Sequence, residues 1–169
     1  MKRVMVLGGP GSGKSTLAVA LGHATGLPVF HMDKIHWQSG WVERARTEKV
    51  RLVNEVETAD QWILEGGLSA TYDNRAHRAD TAIWIDLPLP LRLFRVLKRR
   101  WQYRGGQTRP DLPENCPERL DPAFLHWILF LGPQNRKKIV EVLAKAPHLT
   151  VHHLKSRRDV SVFLSGLAT

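Results

Sequence analysis

The sequence predicts a three-layer α/β domain, a five-stranded parallel sheet with helices on both faces. Three observations carry this expectation. Short apolar runs alternate with helix-length amphipathic segments along the 169 residues. A glycine-rich turn joins the first run to the first helical segment. Acidic residues stand at or just past the ends of later runs, where open parallel sheets gather ligand-binding groups.

In chain order, Val4-Met5-Val6-Leu7 suits a buried parallel strand. The following stretch, Gly8-Gly9-Pro10-Gly11-Ser12-Gly13-Lys14-Ser15-Thr16, fits the pattern Gly, four residues, Gly-Lys-Ser/Thr. Leu17, Ala18, Leu21 and Gly22 continue at helical spacing to a stop near Thr25-Gly26-Leu27-Pro28. Strand, turn and helix are the context this phosphate-binding motif requires. Glycines let backbone N–H groups converge on a phosphate, and the new helix points its positive end at the same anion. In such a loop Lys14 reaches the β- and γ-phosphates and the Ser15 hydroxyl meets Mg²⁺.

Leu27-Pro28-Val29-Phe30 reads as the second strand and delivers His31-Met32-Asp33 to its carboxyl end. Asp33 is a candidate to orient or deprotonate an acceptor hydroxyl; the alternative is a capping or turn aspartate. Trp37 and Trp41 fit either an acceptor pocket wall or core. Thr47 is the expected cap of a helix running to about Thr58, with Val50, Val53 and Val56 in its buried stripe.

Residues 61–67 form the third expected strand, carrying Glu65, and residues 81–86 the fourth, carrying Asp86. Either acid can hold a water on Mg²⁺ beside a phosphate loop. For Glu65 the structural alternative is a turn cap. From Leu89 to Tyr103 the pattern is an amphipathic helix with Leu89, Leu93, Leu97 and Trp101 on one face and the arginines largely elsewhere. Residues 104–119 are rich in glycine, proline and basic side chains, which predicts a mobile lid rather than core.

Asp121-Pro122 opens an apolar helix with Phe124, Leu125, Trp127, Ile128 and Leu131. Pro133 is expected to break it. A further helix over 134–145 then carries Arg136, Lys137 and Lys138 against its dipole, which suggests a phosphate contact. Residues 149–154 give the fifth strand, in which adjacent His152 and His153 face opposite ways, and Ser156 caps the last helix.

The length suits one domain with a full core, covering residues 1–169, with an acceptor region near 31–60 and a lid near 100–120. Apolar content of 43% argues for a folded, soluble protein. Cys116 is the only cysteine, so no intrachain disulfide forms, which fits a reducing cytoplasm. No run is long enough to span a membrane or to form a signal-peptide core, so the expected location is cytoplasmic. The formal charge is +9, and residues 92–119 hold eight basic residues against three acids. Charge concentrated in this way suits a phosphate-bearing partner, either a nucleotide or a nucleic acid.

Taken together, these residues resemble the adenylate-kinase-like P-loop kinases. The likeness rests on Gly8 to Thr16, on Trp62-Ile63-Leu64-Glu65-Gly66 as the strand ending in an acid-glycine pair, and on Asp86-Leu87-Pro88 followed by Arg95 and Arg99. The adenylate kinase pattern has aspartate where this chain has Glu65. The resemblance implies a P-loop NTPase fold of nucleoside/nucleotide kinase type with an arginine-rich lid. It also implies that Arg95, Arg99 and Arg136, a later arginine similar to the family's catalytic one, grip the transferring phosphates.

A narrower resemblance is to the DNA topology modulation (FlaR-like) proteins. It rests on Met32-Asp33-Lys34-Ile35-His36-Trp37 with Trp41, and on Thr108-Arg109-Pro110-Asp111 with Cys116-Pro117-Glu118-Arg119. The combined expectation is an ATP- and Mg²⁺-dependent phosphotransferase acting on a small acceptor. Lys14, Asp33, Arg95, Arg99, Arg109 and Arg136 are its candidate catalytic residues, and Ser15, Glu65 and Asp86 its metal-shell candidates. The alternative expectation is a DNA-associated ATPase or ATP-gated DNA-binding protein, although no helix-turn-helix, zinc-finger or nucleic-acid-binding sheet motif is apparent.

Overall fold

The structure, a computed structural model, describes residues 1–118 and 122–167, and of Leu131 the backbone. Arg119, the helix cap expected at Asp121 and the Leu131 side chain lie outside the described residues. Five parallel strands form the main sheet in the order β2-β5-β1-β6-β7: β1 (Arg3–Gly8), β2 (Val29–His31), β5 (Trp62–Glu65), β6 (Thr81–Ile85) and β7 (Thr150–Leu154). All five match runs visible in the sequence. β1 lies in the middle, with Val6 opposite Glu65 on one side and Gly8 opposite Ile85 on the other. The loop that follows Gly8 therefore starts at the centre of the sheet's carboxyl edge.

Alternation along the strands divides the core into two layers. Met5, Leu7, Trp62, Leu64, Ala82 and Trp84 face one side. There they meet Val53 of α3 (Arg46–Thr58), Tyr72 and Ala76 of α4 (Tyr72–Arg78), and Ile139 and Val142 of α7 (Gly132–Ala144). Val4, Val6, Ile63, Ile83 and Ile85 face the other side. They pack on Leu17, Ala18 and Leu21 of α1 (Lys14–Thr25) and on Val160, Phe163 and Leu164 of α8 (Arg157–Ser165). Ser156 caps α8 as expected: its Oγ accepts from the Asp159 N–H at 3.1 Å, and the Asp159 carboxylate accepts from the Ser156 N–H at 3.0 Å.

Three expectations need correcting, and one stretch holds elements that no expectation covered. Thr47 lies inside α3, and Ala45 occupies the cap position without a side-chain bond. Residues 32–43 hold a short helix, α2 (Met32–His36), and an antiparallel hairpin of β3 (Trp37–Gln38) and β4 (Val42–Glu43). The helix α5 (Leu89–Gln102) exposes Leu97 and Trp101, at 50% and 62%, and turns Arg92, Arg95 and Val96 inward instead. It packs that edge on the phosphate loop, where side-chain-free glycines make room for guanidinium groups and backbone carbonyls accept from Arg95. Pro133 does not break its helix either. A π-helical stretch, Trp127–Leu131, joins α6 (Pro122–His126) to α7, and its wide turn takes in the proline without a donor. Arg136 consequently sits within a continuous helical run rather than at a free N-terminus.

Candidate functional site

The loop from Gly8 to Thr16 connects the central strand to α1. Gly13 holds the helix's cap position at φ 95°, a conformation that favours glycine, and no side chain blocks the cap. The first N–H groups of α1 are thus open to an anion. The Ser12 hydroxyl is buried without a hydrogen-bond partner, an orphan that a ligand oxygen would satisfy. Lys14 Nζ curls over the loop and donates to the Gly9 carbonyl at 3.2 Å. These features fit the polyphosphate of a nucleotide.

Glu65 meets Ser15 across the sheet edge. The Ser15 hydroxyl donates to Glu65 Oε1 at 3.1 Å, and His31 Nδ1 lies 2.8 Å from the same oxygen. A carboxylate accepts there, so the imidazole is the Nδ1–H tautomer or the cation. Among the described residues no group of three or more His, Cys, Asp or Glu side chains could hold a metal by itself. Ser15 and Glu65 suit an ion whose other ligands are phosphate oxygens and water, as Mg²⁺ prefers. Asp86, the rival acid, is engaged elsewhere. Arg136 donates to it from Nη2 at 2.9 Å, and His153 Nε2 lies at 3.1 Å. His153 also stacks on Trp84 with centroids 4.0 Å apart, while His152 packs on Phe163, so the two histidines do face opposite ways.

Asp33 is the second residue of α2, one residue beyond the end of β2, with its side chain half exposed. Loss of water and the neighbouring Glu65 carboxylate push its carboxyl above the ordinary range, against the pull of Lys14 and Arg109. Arg109 Nη2 stands 3.9 Å from Asp33 Oδ2. Two buried acids hold that arginine: Asp111 accepts from Nη1 at 2.9 Å, and Glu118 Oε2 lies 2.8 Å from Nε. The other Glu118 oxygen accepts from Arg99 Nε at 2.8 Å. Arg95 Nη1 donates to the Ser12 carbonyl at 3.0 Å; burial and nearby Arg157 lower its pKa.

The segment expected to be lid rather than core is partly core. Leu112 and Cys116 are buried. Trp41 donates its indole N–H to the Pro117 carbonyl at 3.0 Å and its backbone N–H to Cys116 Sγ at 3.3 Å. Trp37 packs edge-on against Trp41 at 5.2 Å, so the tryptophan pair helps fasten the hairpin to the lid.

The structure thus gathers Lys14, Ser15, Asp33, Glu65, Arg95 and Arg109 around the loop, joins Arg99 to them through Glu118, and ties Arg136 to Asp86. Sequence reasoning missed His31, Glu118 and Arg75. Arg75 is fully buried on α4, donating to the Gly66 carbonyl at 2.8 Å and to Thr71 Oγ1 at 3.0 Å behind the site. An arginine in a polar helix that also carries Arg78 gives no signal of burial. Glu118, between two expected arginines, was the more findable residue.

No family model matches the chain. The "Uncharacterized protein YqaC" of Bacillus subtilis (strain 168) is 27% identical over 130 residues, 75% of this chain and 70% of that protein. Shikimate kinase from Bacteroides thetaiotaomicron superposes with a TM-score of 0.58 at 15% identity, covering 98% of this chain and 96% of its own. Shikimate kinase from Aquifex aeolicus vf5 gives 0.58 at 18% identity, over 98% and 95%. Deoxyadenosine kinase from M. mycoides with bound dATP gives 0.55 at 10% identity, over the whole of both chains. The fold is that of the P-loop kinases. At these identities the likeness extends to the fold and not to a substrate.

Proposed function

We propose that the whole chain acts as one ATP- and Mg²⁺-dependent phosphotransferase domain that phosphorylates a small acceptor, with nucleosides and nucleotides the first class to try. The observation that carries this reading is the loop with open amides and Lys14, with the Asp33 carboxylate near enough to feel the charge of that lysine, in a kinase fold. Bound ATP supplies the phosphoryl group, and Mg²⁺ neutralises charge on its phosphates. Residues Gly8 to Thr16 hold the phosphates, and Ser15 and Glu65 hold the metal and its water; Asp86 is given up to Arg136 and His153.

Asp33 orients the acceptor hydroxyl and takes its proton, a task suited to a carboxylate with a raised pKa. Arg95, Arg99, Arg109 and Arg136 neutralise charge as it develops, with the lid near 100–120 closing on the acceptor region near 31–60. Among the described residues no helix is long and apolar enough to cross a membrane.

The test is ATP consumption with Mg²⁺ across a panel of nucleosides, nucleotides and other small metabolites, with duplex DNA as a separate arm. A phosphorylated product that vanishes with Lys14→Ala supports the reading; turnover that survives Lys14→Ala removes the loop from the mechanism. The finer resemblance to the DNA topology modulation proteins keeps a DNA-associated ATPase as the rival. DNA-stimulated release of phosphate to water, without a phosphorylated product, would favour that rival. The internal pairing of Arg99 and Arg109 with Glu118 speaks for a structured lid over a simple DNA-binding patch.

A further inference from the structure

Three arginines around the cleft are neutralised by this chain's own carboxylates: Arg99 and Arg109 by Glu118, and Arg136 by Asp86. Arg92 is different. Its Nε donates to the Leu87 carbonyl at 3.1 Å, and among the described residues no carboxylate lies within ion-pair distance of its guanidinium. Burial lowers its pKa, and Asp86, whose charge acts in the opposite sense, is already held by Arg136 and His153.

Its position gives that charge a use. A Cβ added to Gly9 would stand 2.0 Å from Arg92 Nη1, so the guanidinium lies directly against the phosphate loop. Lys14 Nζ binds the carbonyl of the same glycine. Gly9 is thus flanked by two cations, and the lysine of such a loop serves the β- and γ-phosphates. The Nε bond to Leu87 fixes the side chain and leaves the Nη groups available. A half-buried cation without a counter-ion is costly unless a ligand supplies one. Arg92 also lines a cavity of about 530 Å³ together with Gly9, Asp86 and Arg136.

We propose that Arg92 is a phosphate-binding residue, a second cation of the loop that meets the terminal phosphate of a nucleoside triphosphate on the Gly9 side. Arg95 marks the opposite end, where a Cβ on Gly13 would lie 3.4 Å from its Nη1. The proposal rests on the reading of the loop as a triphosphate site and adds the residue that distinguishes triphosphate from diphosphate.

Calorimetric titration of ATP and of ADP, each with Mg²⁺, into wild type, Arg92→Ala and Arg92→Lys tests it, with melting temperatures measured alongside. Arg92→Ala is expected to weaken ATP by about tenfold or more and ADP by less than about threefold. Arg92→Lys should recover part of the loss. If Arg92→Ala does not fold, Arg92→Gln, which removes the charge but keeps a donor, carries the same comparison. Equal losses for both nucleotides, or no loss for either, overturn the proposal and leave the triphosphate reading standing. A wild-type protein that binds neither nucleotide overturns that reading, and the proposal with it.

Discussion

Asp33 concentrates the residue-scale chemistry. Proposed as the base, it is the second residue of α2, just past β2, and its neighbours tune its carboxyl in opposite directions. Partial loss of water and the Glu65 charge favour the protonated form, while Lys14 and Arg109 favour the ionised one, and the net displacement is upward. A base must be ionised to accept a proton, so activity is present above its pKa and is lost as pH falls through it. Because that pKa is raised, the acid limb of a kcat–pH profile should lie above the ordinary carboxylate value of about 4. Asp33→Asn should lower kcat by about 10²- to 10⁴-fold and remove that limb. A variant that retains both kcat and the limb would assign the proton transfer to another group. Arg75, buried on α4, shows a different use of charge. It spends two donors on Gly66 and Thr71, with Glu57 3.5 Å away, and so fixes the backbone beyond Glu65 without reaching the cleft.

At the scale of elements, α5 and the lid decide which cations enter the cleft. The phosphate loop and the strands were legible in the sequence because each is local: a glycine spacing or a continuous apolar run determines it. The inward face of α5 was not legible. Leu89, Leu93, Leu97 and Trp101 make a convincing apolar stripe, but the neighbour of this helix is a glycine-rich loop that offers carbonyls rather than a hydrophobic surface. What a helix buries depends on its partner, and pattern alone does not name the partner. The lid misled for a similar reason. Its glycines and prolines signal a loop, while the burial of Cys116 and Leu112 depends on a hairpin some 75 residues earlier.

The same long-range arrangement makes Glu118 the clasp of the lid, one carboxylate shared by Arg99 and Arg109. Glu118→Gln removes the charge while keeping the shape, and both arginines lose their common anchor. The expected result is a fall in kcat of about tenfold or more, since small misplacements of positioned groups are expensive, with KM for ATP changed by less than about threefold. A drop in melting temperature with kcat unchanged would make the clasp purely structural.

Across the whole molecule, the parallel sheet separates chemistry from anchoring. Its carboxyl edge carries Gly8, His31, Glu65 and Asp86, whereas its amino edge is fastened by Asp80. There the Asp80 carboxylate accepts from the backbone N–H groups of Lys2 and Arg3, both at 2.8 Å, and from the Thr81 hydroxyl at 2.6 Å. Its own N–H and carbonyl bond to the Arg3 carbonyl and the Thr150 N–H, so one residue ties β1, β6 and β7 together. Burial alone would raise its pKa, but the hydrogen bonds from Thr81, Arg3 and Lys2 outweigh burial and lower it. The folded value therefore lies below the unfolded one. The stabilisation is complete above the unfolded pKa, about 3.9, and is lost as pH falls through the folded value.

Asp80→Asn should cost about 1 kcal/mol at neutral pH, a small figure because the group is partly exposed, and lower the melting temperature by about 2–4 °C. That difference should narrow as wild type and variant are melted at successively lower pH below 4, while activity per folded molecule stays at the wild-type level because the cleft lies at the other end of the strands. A melting-temperature gap that persists undiminished to the lowest pH would mean that Asp80 stabilises the sheet through its shape rather than through its charge.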